Sequence, residues 1–162
     1  MSDTVHLPAF AKNALNLASP KLKAKVIYAS DDFFAPKERL LMDEDPVYIA
    51  DKYDDHGKWM DGWESKRRRV PGNDHCIVRL GTKGVLTGVD IYTRFFTGNH
   101  PPHGSIEGVL SDSDPNGDTE WVEILPKCAL NADSHNFFEI ASEDRFNYLR
   151  LNIHPDGGVA RL

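Results

Sequence analysis

Alternating apolar and polar residues predict that short β-strands make up most of this chain. Apolar side chains recur at every second position in residues 76–80 and again in residues 149–153. That spacing is typical of a strand with one buried face, because successive side chains point to opposite sides of a sheet. Residues 85–93 continue the alternation after Gly81–Gly84, whose two glycines are typical of a turn. The sequence therefore predicts a β-hairpin over residues 75–93 with its turn at residues 81–84.

The rest of the chain adds further short elements. Other strands are predicted at residues 26–34, 105–110 and 119–125, and turn-forming residues separate the last two at residues 113–118. Ten prolines and twelve glycines leave room only for a short helix, near residues 10–17 or 37–41. This pattern is typical of an all-β jelly-roll β-sandwich, and we predict one such domain over residues 1–162. The side chains predicted to face its core are Val78, Leu80, Val89, Ile91, Leu149, Leu151 and Ile153.

Composition and charge narrow the classes of partner. The formal net charge is −6, and Cys76 and Cys128 are the only cysteines. An acidic chain is poorly suited to nucleic acid, and the single basic run, Lys66–Arg69, does not outweigh this overall charge. The sequence has neither an apolar stretch of membrane-spanning length nor the pattern of a secretory signal. We therefore expect a cytoplasmic protein with no membrane or nucleic-acid partner and no disulfide framework.

Residues 57–69 hold the densest chemistry of the sequence. They combine two tryptophans with two carboxylates and five cations. Trp59 and Trp63 are predicted to anchor the core, because both are large apolar side chains. Charges beside them are costly to bury unless they are paired, which predicts a polar network packed against the domain. Such a network makes this segment the first candidate for a site that binds a charged substrate.

Five ordered motifs carry a resemblance to a known family. They lie at residues 29–36, 57–69, 74–81, 96–102 and 151–162. Two of them read Asp-His-Cys-Ile-Val-Arg-Leu-Gly and Phe-Thr-Gly-Asn-His-Pro-Pro, and together the five span nearly the whole chain. On these motifs the chain resembles the allantoicase family. The resemblance implies hydrolysis of allantoate to ureidoglycolate and urea in purine catabolism, and a galactose-binding-domain-like jelly roll.

The resemblance also shows where this chain departs from the family pattern. Family members usually carry two tandem repeats, and this chain resembles the first and is expected to end within its last strand at Leu162. Tyr92 and Phe95 stand where the family has an aspartate and often a histidine. A single repeat would leave a sheet edge and an apolar surface uncovered, so we expect a homo-oligomer.

The chemistry of allantoate indicates which residue types its site needs. The molecule carries one carboxylate and two ureido groups, so the site needs a cation, acceptors for N–H groups and a proton-transferring group. The motif residues suited to proton transfer are Asp31, Asp61, Glu64, His75, His135 and His154. Those suited to substrate binding are Lys58, Arg67, Arg68, Arg69, Thr97, Asn99 and Asp156. Simpler roles stay open, with the arginines as ion-pair partners of carboxylates and with Asp31 and His154 in turns.

The motifs leave both the cofactor and the class of function open. His100 and His103 have the spacing of a metal-ligand pair, but the prolines between them exclude a helix and no clear ligand motif supports a divalent metal. One function is an allantoicase-type hydrolase, active alone or after self-association. The other is a non-catalytic ligand-binding or interaction module derived from an allantoicase repeat. An intact set of arginine, histidine and aspartate residues favours the first, and Tyr92, Phe95 and the missing repeat favour the second.

Overall fold

The computed structural model describes residues 6–162, and these residues form mainly β-strands. The strands in this range are β1 (Lys25–Ala29), β2 (Tyr53–Asp54), β3 (Gly57–Lys58), β4 (Trp63–Glu64), β5 (Asp74–Val85), β6 (Gly88–Asp90), β7 (His103–Val109), β8 (Val122–Ala129), β9 (Phe137–Glu139), β10 (Arg145–His154) and β11 (Gly158–Val159). Helical segments are the four-residue α1 (Ala9–Lys12) and two 3₁₀ helices, Pro20–Leu22 and Lys37–Leu41. None of the helices in residues 6–162 is long and apolar enough to cross a membrane.

A five-stranded antiparallel sheet dominates the fold. Its strand order is β1-β5-β10-β7-β8, so β10 lies at the centre and pairs with both β5 and β7. In this register Leu151 lies opposite Cys76 on one side and Ile106 on the other. The remaining strands form three short antiparallel pairs, β4 with β11, β6 with β9, and β2 with β3.

One core joins the large sheet to two of the short pairs. Leu151 and Ile106 of the sheet pack in the same cluster as Trp63 of β4 and Val159 of β11, and none of these four has any exposed area. The predicted core positions are confirmed. All of them are buried except Val89, which is half-buried and packs against the cluster. The alternation in the sequence therefore identified the inner face of each strand correctly.

The predicted hairpin over residues 75–93 is wrong. β5 continues through residues 81–84 without turning, and β6 pairs with β9 instead of with β5. The two glycines serve close packing, because a Cβ on Gly81 would lie 2.6 Å from the carbonyl oxygen of Leu22 and one on Gly84 would lie 2.9 Å from Leu17. These glycines let the strand pass close beneath the preceding segment.

Other boundaries and one core assignment also need correction. β1 ends at Ala29 instead of residue 34, because the Asp31 carboxylate accepts a hydrogen bond from the Phe33 N–H and turns the chain out of the sheet. β8 begins at residue 122 instead of 119, and α1 is shorter than the predicted helix.

Trp59 is only half-buried, and its ring lies 4.1 Å from the Lys52 ammonium and 4.8 Å from the Arg39 guanidinium. Cations stack on this ring, whereas Trp63 alone anchors the core.

Candidate functional site

Four loops meet at the end of the large sheet where β1 and β10 end and β5 and β7 begin. The Trp63 Nε1–H donates to the Asp31 carbonyl at 2.8 Å, which fixes the loop after β1 against β4. The Ser65 N–H donates to the Gly157 carbonyl at 3.0 Å, and the Gly158 N–H donates to the Asn99 carbonyl at 2.8 Å. These bonds bring the loops after β1, β4, β6 and β10 together around Glu64, which pairs with Gly158.

Gly157 permits the close approach of two of these loops. Its φ is +134°, which L side chains rarely adopt, and a Cβ there would lie 2.7 Å from the Asn99 carbonyl oxygen. Its N–H also donates to the Ser65 hydroxyl at 3.2 Å. Any larger residue at position 157 would push the loop that carries Asn99 away from Glu64.

Glu64 is a buried carboxyl group at the centre of this cluster. It is 8% exposed, and its Oε2 accepts a hydrogen bond from the Asn99 amide nitrogen at 2.8 Å. It forms no ion pair with any residue from 6 to 162. Burial therefore raises the pKa of Glu64 to about 7, and the Asn99 hydrogen bond opposes that rise. A carboxyl group that is half-protonated near neutral pH can serve as an acid or as a base.

Two aspartates hold the segment that follows β4. Asp31 accepts the N–H of Lys66 at 2.8 Å through the same oxygen that accepts from Phe33. Asp156 accepts the N–H of Arg68 at 2.7 Å. Each carboxylate uses one oxygen in these bonds, which leaves its second oxygen for other donors.

The three consecutive arginines have different environments. Arg68 is bound to the domain, since its Nη1 lies 3.1 Å from the Asp74 carboxylate and its Nη2 donates to the Pro71 carbonyl at 3.3 Å. The Arg68 Nε is buried and has no hydrogen-bond partner among the described residues. Arg67 and Arg69 are exposed and form no ion pair within residues 6–162. These two are the arginines of this segment that are available to an anion.

Three other predicted residues lie in or near the loop region with different roles. Thr97 is exposed on the same loop as Asn99, and its carbonyl oxygen lies 3.2 Å from the His100 Nδ1. The Lys58 ammonium donates to the carbonyls of Ile49, Lys52 and Trp59, so it organises the loop around β2 and β3. Asp61 is buried in an ion pair with Arg161, at 3.0 Å, and also accepts the Val47 N–H.

The three predicted histidines lie outside the Glu64 cluster. His75 is on the outer face of β5 beside the Tyr28 ring, and burial and Arg150 lower its pKa. His154 ends β10, and its Nε2 lies 2.9 Å from the Ser105 hydroxyl. His135 lies 2.6 Å from the Asp90 carboxylate; burial raises the pKa of Asp90 and the contact with His135 opposes that rise.

The two positions that depart from the family pattern have clear roles in packing. The Tyr92 ring stacks on His135 with a centroid separation of 3.7 Å. Phe95 has a φ of +71°, and its N–H donates to the Asp133 carboxylate at 2.8 Å.

Within residues 6–162 there is no group of three or more histidine, cysteine, aspartate or glutamate side chains that could hold a metal ion, so His100 and His103 have no further ligand there.

Several residues that contact the predicted site residues were not predicted from the sequence. Asp90, Ser105 and Asp74 each contact a predicted site residue, and all three lie in strands at positions where a polar residue is unremarkable. In the strand register Ser105 lies opposite Asn152, next to the His103–His154 pair, and only the folded structure brings its hydroxyl group to His154. No motif would have identified these pairs in advance.

Comparison with solved structures assigns the fold class. A family 32 carbohydrate-binding module, CBM32-3 from a family 31 glycoside hydrolase of Clostridium perfringens, aligns over 86% of this chain and 88% of its own length with a TM-score of 0.57. The two share 16% sequence identity, so the likeness concerns the fold alone. The molecule is thus a galactose-binding-like β-sandwich: the strand pattern predicted the sandwich, and the family resemblance implied its galactose-binding-like form.

Closer relatives define the family. The family model described as "Allantoicase repeat" matches residues 15–162. The chain is 53% identical over 156 residues to "Probable allantoicase 1" of Burkholderia mallei, covering 96% of this chain and 46% of that relative. The crystal structure of allantoicase from Saccharomyces cerevisiae aligns with a TM-score of 0.78 at 31% identity, covering 91% of this chain and 46% of the other. This chain belongs to the allantoicase family, and it spans about half the length of these relatives.

Proposed function

We propose that this chain catalyses the hydrolysis of allantoate to ureidoglycolate and urea, with Glu64 as the proton-transferring group. Membership of the allantoicase family supports the reaction. The observation that supports the role of Glu64 is its burial beside Asn99 without a cation, which gives it a pKa of about 7. A group that titrates near the working pH is suited to both directions of proton transfer.

The reaction breaks the bond between the central carbon of allantoate and one ureido nitrogen. Protonated Glu64 donates its proton to that nitrogen, which leaves as urea. A water molecule then adds its oxygen to the central carbon, and the Glu64 carboxylate accepts the proton that the water gives up. The carbon gains a hydroxyl group, Glu64 returns to its protonated form, and one water molecule is consumed in each turnover.

Substrate binding is assigned to groups on the surrounding loops. Arg67 and Arg69 are exposed and unpaired within the described residues, so either can bind the allantoate carboxylate through a charge-assisted hydrogen bond. The second carboxylate oxygens of Asp31 and Asp156 are available to accept ureido N–H groups. Arg68 is assigned a structural role because Asp74 already binds it.

The decisive experiment measures urea release by the purified chain and by Glu64→Gln. Glutamine keeps the size and the Asn99 contact but cannot carry the proton, so we expect a loss of about 100-fold or more in kcat. Glu143→Gln, an exposed glutamate in the loop before β10, is the matched control and should keep full activity. The wild-type kcat/KM should fall as the pH rises through about 7, because the protonated form donates first. A flat profile between pH 6 and 8, or an active Glu64→Gln variant, would contradict the role of Glu64.

The same assay separates the hydrolase from the non-catalytic alternative. If the wild-type chain binds allantoate in calorimetry but releases no urea, the ligand-binding module is the better description.

We also propose cytoplasmic residence, which the two free cysteines support, since Cys76 is buried and unpaired with Cys128.

We further propose that the chain functions as a homo-oligomer. Four apolar side chains between residues 47 and 53 are exposed, Val47 at 50%, Tyr48 at 52%, Ile49 at 42% and Tyr53 at 69%. Apolar surface of this kind favours association. Light scattering at micromolar concentration should give a dimeric mass, and a monomeric mass would contradict this proposal.

A further inference from the structure

A pocket lies at the end of the five-stranded sheet where β7 begins and β10 ends. Its volume is about 480 Å³, and it is lined by Gly72, Asn73, Pro102, His103, Lys127, His154 and Pro155. His103 and His154 lie directly opposite each other in the pairing of β7 with β10. Among these seven described lining residues there is one ammonium group and two imidazoles, and none has a carboxylate.

The His154 ring is held in place by the sheet. Its Nε2 lies 2.9 Å from the hydroxyl of Ser105, a residue that is only 7% exposed. With Nε2 engaged, Nδ1 is the ring nitrogen left for a ligand, and it has no hydrogen-bond partner among residues 6–162. Burial lowers the pKa of His154, and the Lys127 and His103 side chains add to this effect. An anion in the pocket would offset this unfavourable environment.

We propose that His103, Lys127 and His154 form a binding site for a small carboxylate anion, separate from the Glu64 cluster. Each of the three residues presents nitrogen donors, which suit the oxygens of a carboxylate. Lys127 is the one permanently charged group in the lining, so a singly charged anion matches the pocket better than a doubly charged phosphate. The volume lies within the range of small-molecule sites.

Histidine NMR tests this proposal directly. The ring C–H signals of His103 and His154 are assigned with the variants His103→Gln and His154→Gln, and then followed during titration with acetate at constant ionic strength. Acetate should shift both signals along a saturating curve and should raise the pKa of His154, because a bound anion stabilises the imidazolium. Acetamide, which has the same shape without the charge, should shift neither signal. Phosphate should bind more weakly than acetate.

A pair of lysine variants supplies the control. Lys127→Met should weaken acetate binding roughly threefold to fivefold, as expected for the loss of an exposed charge interaction. Lys83→Met removes an exposed lysine near the other end of β5 and should leave acetate binding unchanged. Equal effects of the two variants, equal shifts with acetamide, or tighter binding of phosphate would overturn the proposal. The Glu64→Gln variant should keep the acetate response, so failure of the proposed reaction would leave this test intact.

Discussion

The buried ion pair between Asp61 and Arg161 offers the sharpest test of how this fold is held together. Arg161 is 7% exposed, and its guanidinium lies 3.0 Å from the Asp61 carboxylate. The same guanidinium donates to the carbonyls of Glu44, Asp61 and Ala160 at 3.0, 3.2 and 2.7 Å. Asp61 also accepts the Val47 N–H at 3.0 Å. The pair thus ties the last residues of the chain to the loop before β4.

The expected effect of Asp61→Ala follows from this geometry. The substitution leaves the Arg161 cation buried with carbonyl partners only, and it also removes the acceptor of the Val47 N–H. Breaking a buried pair by removing one partner costs about 3–5 kcal/mol, because a buried charge is left uncompensated. Domains of this size have unfolding free energies of about 5–15 kcal/mol, so Asp61→Ala should lose a large part of the stability.

Urea denaturation followed by tryptophan fluorescence measures this loss for Asp61→Ala, Arg161→Leu and the double variant. The double variant should be more stable than the sum of the two single losses predicts, because removing both charges leaves neither one unpaired. Arg94→Ala is the control, since Arg94 and Asp133 form an ion pair at the same 3.0 Å distance with side chains 45% and 37% exposed. Exposed pairs contribute about 0–1 kcal/mol, so that variant should be nearly neutral.

Two results would refute the reasoning. Asp61→Ala and Arg94→Ala could destabilise the domain equally, which would mean that burial does not decide the effect of the Asp61–Arg161 pair. Additive losses in the double variant would mean that the two residues act independently despite their contact.

Three further predictions concern the core and the candidate site. Trp63→Ala should cost about 3–5 kcal/mol, since the ring is fully buried, and near-wild-type melting would place Trp63 outside the core. Glu64→Gln should stabilise the fold at pH 8 by on the order of 3 kcal/mol, because the pKa of Glu64 is about 7 against an ordinary value of 4.5 and each unit corresponds to about 1.4 kcal/mol. The wild type therefore loses stability as the pH rises from 4.5 to 7, and a stability difference that stays the same at pH 4 would contradict this. The double variant Arg67→Ala and Arg69→Ala should weaken allantoate binding roughly tenfold to a hundredfold in calorimetry, and unchanged affinity would place the cation elsewhere.

The sequence by itself determined which face of each strand is buried. Leu149, Leu151 and Ile153 alternate with polar residues, and the structure buries all three. The reason is local, since the two-residue period of a strand sends successive side chains to opposite sides whatever the partner strand is. Short strands and frequent turn residues were likewise enough to predict the all-β sandwich.

Strand pairing was decided only by the tertiary structure. Glycines at positions 81 and 84 are typical of a turn. β5 nevertheless continues through them, because Leu17 and Leu22 pack directly against the glycine backbone. A contact between residues far apart in sequence leaves no local pattern, and the pairing of β1 with β5 and of β6 with β9 is of the same kind. The prediction of a hairpin failed for this reason.

In the candidate site, too, the sequence determined some features and the tertiary structure decided the others. The composition of residues 57–69 was enough to predict a site there and to predict Glu64 and the arginines as site residues. The sequence could not show that Asp74 binds Arg68 or that Asp61 binds Arg161, because each partner comes from another element. The raised pKa of Glu64 depends on burial, and that burial exists only where the loops carrying Asn99 and Gly157 close over β4. Residue types were therefore set by the sequence, whereas their charges and partners were set by the folded structure, since desolvation and distance exist only in three dimensions.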